Sequence, residues 1–120
     1  MQARTFLESV RFALAGLWHA VDTERNMRVH CLLAAAALIL AWVVGFTPLE
    51  WAVLVLTITQ VLTAELFNTA VEITVNLITK EYHPLAKAAK NVAAGAVLIS
   101  SCGALVVGGA LFLTRIFSPR

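Results

Sequence analysis

The chain has 120 residues, of which 60% are hydrophobic and 13% charged, with a formal net charge of +2. A soluble domain is roughly half apolar and about a quarter charged, so this composition points to an integral membrane protein with one membrane domain, residues 1–120, and no room for a second. The small net charge, without a basic-aromatic surface pattern, argues against nucleic acid as a partner.

Residues 4–21 read as an amphipathic helix. Leu7, Val10, Leu14, Leu17, Trp18 and Val21 form an apolar stripe, and Arg4, Glu8 and Arg11 lie elsewhere on the helix. Such a helix either lies in the membrane surface or packs on the spans. Asp22-Thr23-Glu24-Arg25 reads as a break in which Asp22 or Thr23 caps the next helix. Three apolar segments follow, 29–46, 51–78 and 92–117, each long enough for a bilayer crossing of about 20 residues. The expected fold is therefore all-α: a surface helix followed by three transmembrane helices.

The second segment is too long for one simple crossing, so its polar half, from Glu65 onward, is expected at the headgroups or in a water-open cavity. Pro48 marks a short turn, with Trp42 and Trp51 suited to the membrane interface. His83-Pro84 breaks the chain, and a new helix is expected near Leu85. Cys31 and Cys102 lack metal or redox spacing and read as small packing residues. The third span is rich in small residues, among them Ala93, Ala94, Gly95, Gly103, Gly108 and Gly109, which permit close helix packing.

No secretory signal is evident before the first span. Arg4, Arg11, Arg25 and Arg28 precede the first span, and Lys80, Lys87 and Lys90 lie between the second and third. The turn at 47–50 has no basic residue. The positive-inside rule then puts the N-terminus and the second loop in the cytoplasm and the C-terminus outside. Arg115 and Arg120 weigh mildly against this bias.

Positions 65, 68, 72 and 76 share one helical face, because steps of three and four residues meet on a helix. They hold Glu65, Asn68, Glu72 and Asn76, and ionisable groups at membrane depth are costly enough to mark function. Glu65 and Glu72 can hold a divalent cation together or divide the work between base and ligand, and Mg²⁺ prefers a few carboxylates plus phosphate oxygens. Glu24 can supply a third carboxylate, Asn68 can orient a hydroxyl or phosphate, and Lys87 and Lys90 add positive charge. That set fits phosphoryl transfer. The same groups also fit an ion or proton path, or structural pairs with Lys or Arg. Neither a Gly-x-x-x-x-Gly-Lys loop nor a Gly-x-Gly-x-x-Gly turn is present. His83 reads as a loop residue beside Pro84, and His19 and His30 read as isolated.

The run Glu65-Leu66-Phe67-Asn68-Thr69-Ala70-Val71-Glu72, with His83-Pro84-Leu85-Ala86-Lys87-Ala88-Ala89-Lys90 and Val92-Ala93-Ala94-Gly95-Ala96-Val97 downstream, resembles the signature of the small prokaryotic diacylglycerol kinases. It is most similar to their Gram-positive undecaprenol kinase branch, and the likeness covers nearly the whole chain. The resemblance implies a homotrimeric kinase of the bacterial cell membrane that uses MgATP to phosphorylate a lipid alcohol at the cytoplasmic interface, in sites shared between subunits. On that pattern Glu65 matches the general base at the lipid hydroxyl, with Asn68 and Ala94 on the lipid side. Glu24 and Glu72 match ligands of the Mg²⁺ that carries ATP. Lys90, Asn76, Asn91 and Arg11 fall on the nucleotide side. The family pattern has Asp where this chain has Asn76 and Asn91, so two negative charges become amides. The implied substrate is undecaprenol. Diacylglycerol, or a weakened or non-catalytic relative, are the alternatives, and an ion-conducting bundle is a further one.

Overall fold

The computed structural model describes residues 5–118 as four helices: α1 (Phe6–Thr23), α2 (Arg25–Val44), α3 (Pro48–Ile78) and α4 (Pro84–Phe117). Arg4 and Arg120 lie outside the described residues. α2, α3 and α4 are each long and apolar enough to cross a membrane. Each begins earlier than the apolar segment read from the sequence, at 25, 48 and 84, by taking in polar residues next to it, and α2 stops at Val44, short of 46, where Gly45 ends it.

α1 starts where the Thr5 hydroxyl accepts from the Glu8 backbone N–H at 3.2 Å. At its far end the expected cap does not form. Neither Asp22 nor Thr23 caps α2: Thr23 Oγ1 donates back to the His19 carbonyl at 2.7 Å, and Glu24 is the N-cap residue, without a side-chain bond. The junction is closed from the other side. Arg28 on α2 donates from Nη1 to the Val21 and Asp22 carbonyls at 2.9 and 3.0 Å, satisfying orphan acceptors of α1's last turn. One extended residue, Glu24 at φ −109° and ψ 115°, turns the chain.

α2 ends on Gly45 in the left-handed conformation (φ 76°), where a Cβ would be strained. α3 begins two residues later with a capping box. Thr47 Oγ1 accepts from the Glu50 N–H, the Glu50 carboxylate accepts from the Thr47 N–H, and Pro48 occupies the first turn. Ala41, Phe46 and Leu54 are buried here, with Trp51 and Phe112 against Phe46 at centroid distances of 6.1 and 4.8 Å. Glu50 also bonds Arg115 from the far end of α4. α3 and α4 pack along each other more extensively than any other pair. They are joined by residues 79–83, where Thr79 Oγ1 accepts from the Glu81 N–H. His83, read as a loop residue, is the N-cap of α4, its Nδ1 accepting from the Leu85 N–H at 3.1 Å.

Candidate active site

Helix length fixes the level of the polar face. At about 1.5 Å per residue α2 spans about 30 Å, one hydrocarbon thickness, whereas α3 and α4 run to about 46 and about 51 Å. About twenty residues counted from Pro48 along α3 reach residue 67, and about twenty counted back from Phe117 reach residue 98. Both helices therefore overhang at the same end, over 68–78 and 84–97. Glu24, at the start of α2, and Glu65 fall at the same rim.

Along the face of α3 burial falls away toward the overhang. Glu65 is 1% exposed, Asn68 and Thr69 are buried, Glu72 is half-buried and Asn76 is exposed. Thr69 Oγ1 donates to the Glu65 carbonyl at 3.0 Å. Glu65 Oε2 and Asn68 Oδ1 are buried without hydrogen-bond partners. Unsatisfied polar atoms at such depth are costly, which singles out both acceptors as candidate ligand contacts. The carboxylates of Glu24 and Glu72 lie within electrostatic reach of Glu65.

His30, which reads as isolated in sequence, is the correction. Its Nε2 stands 3.6 Å from Glu65 Oε2. Treating it as one more ionisable residue in an apolar span, with a carboxylate as its default partner, is the signal that finds it. The sequence carries no spacing that joins α2 to α3.

Two hollows flank this cluster. Toward the overhang is a cleft of about 390 Å³ between the end of α3 and the start of α4, lined among others by Asn76, Lys80, His83, Lys87, Lys90 and Asn91. Lys90 Nζ donates to Asn76 Oδ1 at 2.8 Å across it, and three lysines against Glu81 leave the cleft cationic. Between α1 and α3 lies an apolar groove of about 470 Å³, lined by Gly16, Leu17, Ala20, Leu66, Ala70 and Ile73 among others. Leu66, next in the chain to Glu65, and Thr69, one turn on, place it beside that residue. Arg11 and Ala94, both exposed, line neither hollow.

Among the described residues no three Asp, Glu, His or Cys side chains converge to cage a metal ion. Glu24 and Glu72 each lie within electrostatic reach of Glu65, and a few carboxylates completed by phosphate and water oxygens are the donor set that suits Mg²⁺.

A family model for prokaryotic diacylglycerol kinase matches residues 11–112. The chain is 41% identical to an undecaprenol kinase of Bacillus subtilis over 111 residues, covering 92% of this chain and 90% of that one. It is 42% identical to a diacylglycerol kinase of Synechocystis, over 97% of this chain and 67% of the relative. With a diacylglycerol kinase of Haemophilus influenzae the identity is 34%, over 88% and 91%.

Proposed function

From the premise that this chain belongs to the prokaryotic diacylglycerol kinase family of membrane lipid kinases, we propose that it transfers the γ-phosphoryl group of ATP to undecaprenol at the cytoplasmic rim of the membrane. The observation that carries the reading is Glu65: a buried carboxylate with one oxygen unpaired, at the end of an apolar groove that begins at Leu66, with the cationic cleft further along the same helix from Val75. An isoprenoid alcohol lies along the α1–α3 groove and brings its hydroxyl to Glu65, with the free Asn68 carbonyl to orient it. ATP enters the cleft, where Lys90 meets phosphate and Asn76 and Asn91 meet the nucleotide. Glu65 takes the hydroxyl proton as the oxygen attacks the γ-phosphorus and ADP leaves. Glu24 and Glu72 would hold Mg²⁺ together with phosphate, and the ion would supply neutralisation of phosphate charge there.

The wider arrangement belongs to the same proposal. α1 lies in the membrane surface, its exposed Leu7, Leu14 and Trp18 turned to lipid. The N-terminus and the α3–α4 connection are cytoplasmic, the C-terminus is outside, and three copies form the enzyme. Arg11 and Ala94 take up their expected nucleotide and lipid roles only once lipid or a neighbouring copy adds to the single chain.

One observation favours a second reading. Lys90 spends its ammonium on the Asn76 amide, where the family pattern has a carboxylate, so a weakened relative is the competing conclusion. The test is MgATP-dependent phosphate transfer by the purified protein in detergent, with undecaprenol and diacylglycerol side by side. Preferential transfer to undecaprenol, abolished in Glu65→Gln, is the expected result. Preferential transfer to diacylglycerol moves the substrate. No transfer by folded protein, regained on Asn76→Asp with Asn91→Asp, favours the weakened relative.

A further inference from the structure

We propose that His30 carries the proton collected by Glu65 out to water, regenerating the base for the next turnover. The inference rests on Glu65 being the base. Glu65 is the largest fully buried side chain of the described residues, and its Oε2 has no hydrogen-bond partner. A carboxylic acid formed there has no direct contact with solvent through which to lose its proton. His30 Nε2 stands 3.6 Å from that same oxygen, and its side chain is 20% exposed against 1% for Glu65. His30 thus stands beside the buried acid and is not itself fully enclosed by the chain, about one and a half turns from the Glu24 end of α2.

The other groups acting on Glu65 are Glu24 and Glu72. Both are carboxylates of the same charge type, assigned here to the metal. Lys90 is directed to Asn76. An imidazole is suited to the task because its two nitrogens can accept on one side and release on the other. The separation is longer than a hydrogen bond, as catalytic contacts often are before substrate binds; a small side-chain movement or one water closes it.

The sequence of events balances. The lipid O–H bond breaks and its proton goes to Glu65 Oε2 as the new O–P bond forms and ADP departs. The acid then passes this proton to the lone pair of His30 Nε2, leaving a carboxylate and an imidazolium. The imidazolium releases its Nδ1 proton to water, and tautomer exchange through solvent restores the starting form. His30 acts through Glu65 and touches no substrate.

The experiment compares wild type, His30→Ala, His30→Gln and Glu65→Gln, purified full-length in detergent with MgATP and undecaprenol (diacylglycerol if that is the lipid accepted). His30→Ala is expected to lower kcat by roughly 10- to 100-fold, a modest share of the usual acid–base contribution, with KM for both substrates little changed. Added imidazole restores turnover in that variant, and substituted imidazoles do so in order of their basicity. Glu65→Gln stays inactive with or without them. His30→Gln, which keeps a polar group beside Glu65 but cannot carry a proton, is as slow as His30→Ala and stands in for it should the alanine variant not fold. Wild-type turnover in His30→Gln, or a slow His30→Ala that imidazole does not rescue, overturns the relay and leaves the base reading intact. Transfer by Glu65→Gln overturns the base reading itself.

Discussion

Glu65 is a poor choice for stability. Its carboxylate is buried with one oxygen unpaired, and an unsatisfied buried acceptor costs about 1–3 kcal/mol. In the proposed mechanism its presence at that depth is a cost accepted for chemistry, which gives an unusual expectation: Glu65→Gln abolishes transfer and at the same time melts higher than wild type in detergent, because the buried charge is gone. Thermal unfolding followed by circular dichroism checks this, and a lower melting temperature would count against an uncompensated carboxylate. Lys90 behaves in the opposite sense. Lys90→Met is expected to raise KM for ATP roughly 10- to 100-fold, the loss of one charge-assisted contact worth about 1.5–3 kcal/mol, with folding unaffected; nucleotide titration reads it. The common face of Glu65, Asn68, Glu72 and Asn76 was legible because helical spacing is local. His30 beside Glu65 was not, since the approach of α2 to α3 is a tertiary fact that no spacing within either helix encodes.

The elements show the same division between local and distant information. The start of α3 is written in four consecutive residues, Thr47-Pro48-Leu49-Glu50, and both reciprocal bonds of the box form. Thr47→Ala is expected to cost about 1 kcal/mol, seen as a lower melting temperature, while Thr47→Ser keeps the acceptor and stays close to wild type. Cα geometry next door makes a further demand: Gly45 closes α2 with φ 76°, a conformation that lets Phe46 fold back into the Ala41–Leu54 core. The break between α1 and α2 was legible as a break, but its chemistry was not. Asp22 and Thr23 are good capping residue types, yet the guanidinium of Arg28 reaches back to the α1 carbonyls instead. The Glu50–Arg115 bond was equally hidden, because its partners are 65 positions apart.

At the scale of the molecule the apolar surface is in excess and the polar surface is in the wrong place for a single chain in lipid. α4 has 34 residues and none of them is buried. More telling is Gln60, which is exposed and sits about two-thirds of the way along the membrane-depth part of α3, where Thr59 Oγ1 at least bonds its own Leu56 carbonyl at 2.9 Å. A carboxamide facing hydrocarbon without a partner is costly, and side chains of this kind bond across helix interfaces. Lipid can cover the leucines and valines but not the amide, so a neighbouring copy is the cover that physical chemistry favours, and the proposed trimer provides one. The prediction follows from that position. Light scattering in mild detergent gives the mass of three 12.9 kDa chains for the wild type. Gln60→Leu, which loses an interhelical bond worth about 0.6–2 kcal/mol, dissociates at a higher protein concentration on dilution into detergent. Gln60 lines neither hollow, and five residues along α3 turn it about 140° away from the Glu65 face, so the trimer that remains at high concentration is expected to keep wild-type kcat. A monomeric wild type would remove the shared assembly, and a Gln60→Leu trimer as tight as wild type would mean that this amide faces water or a lipid headgroup rather than a second copy of the chain.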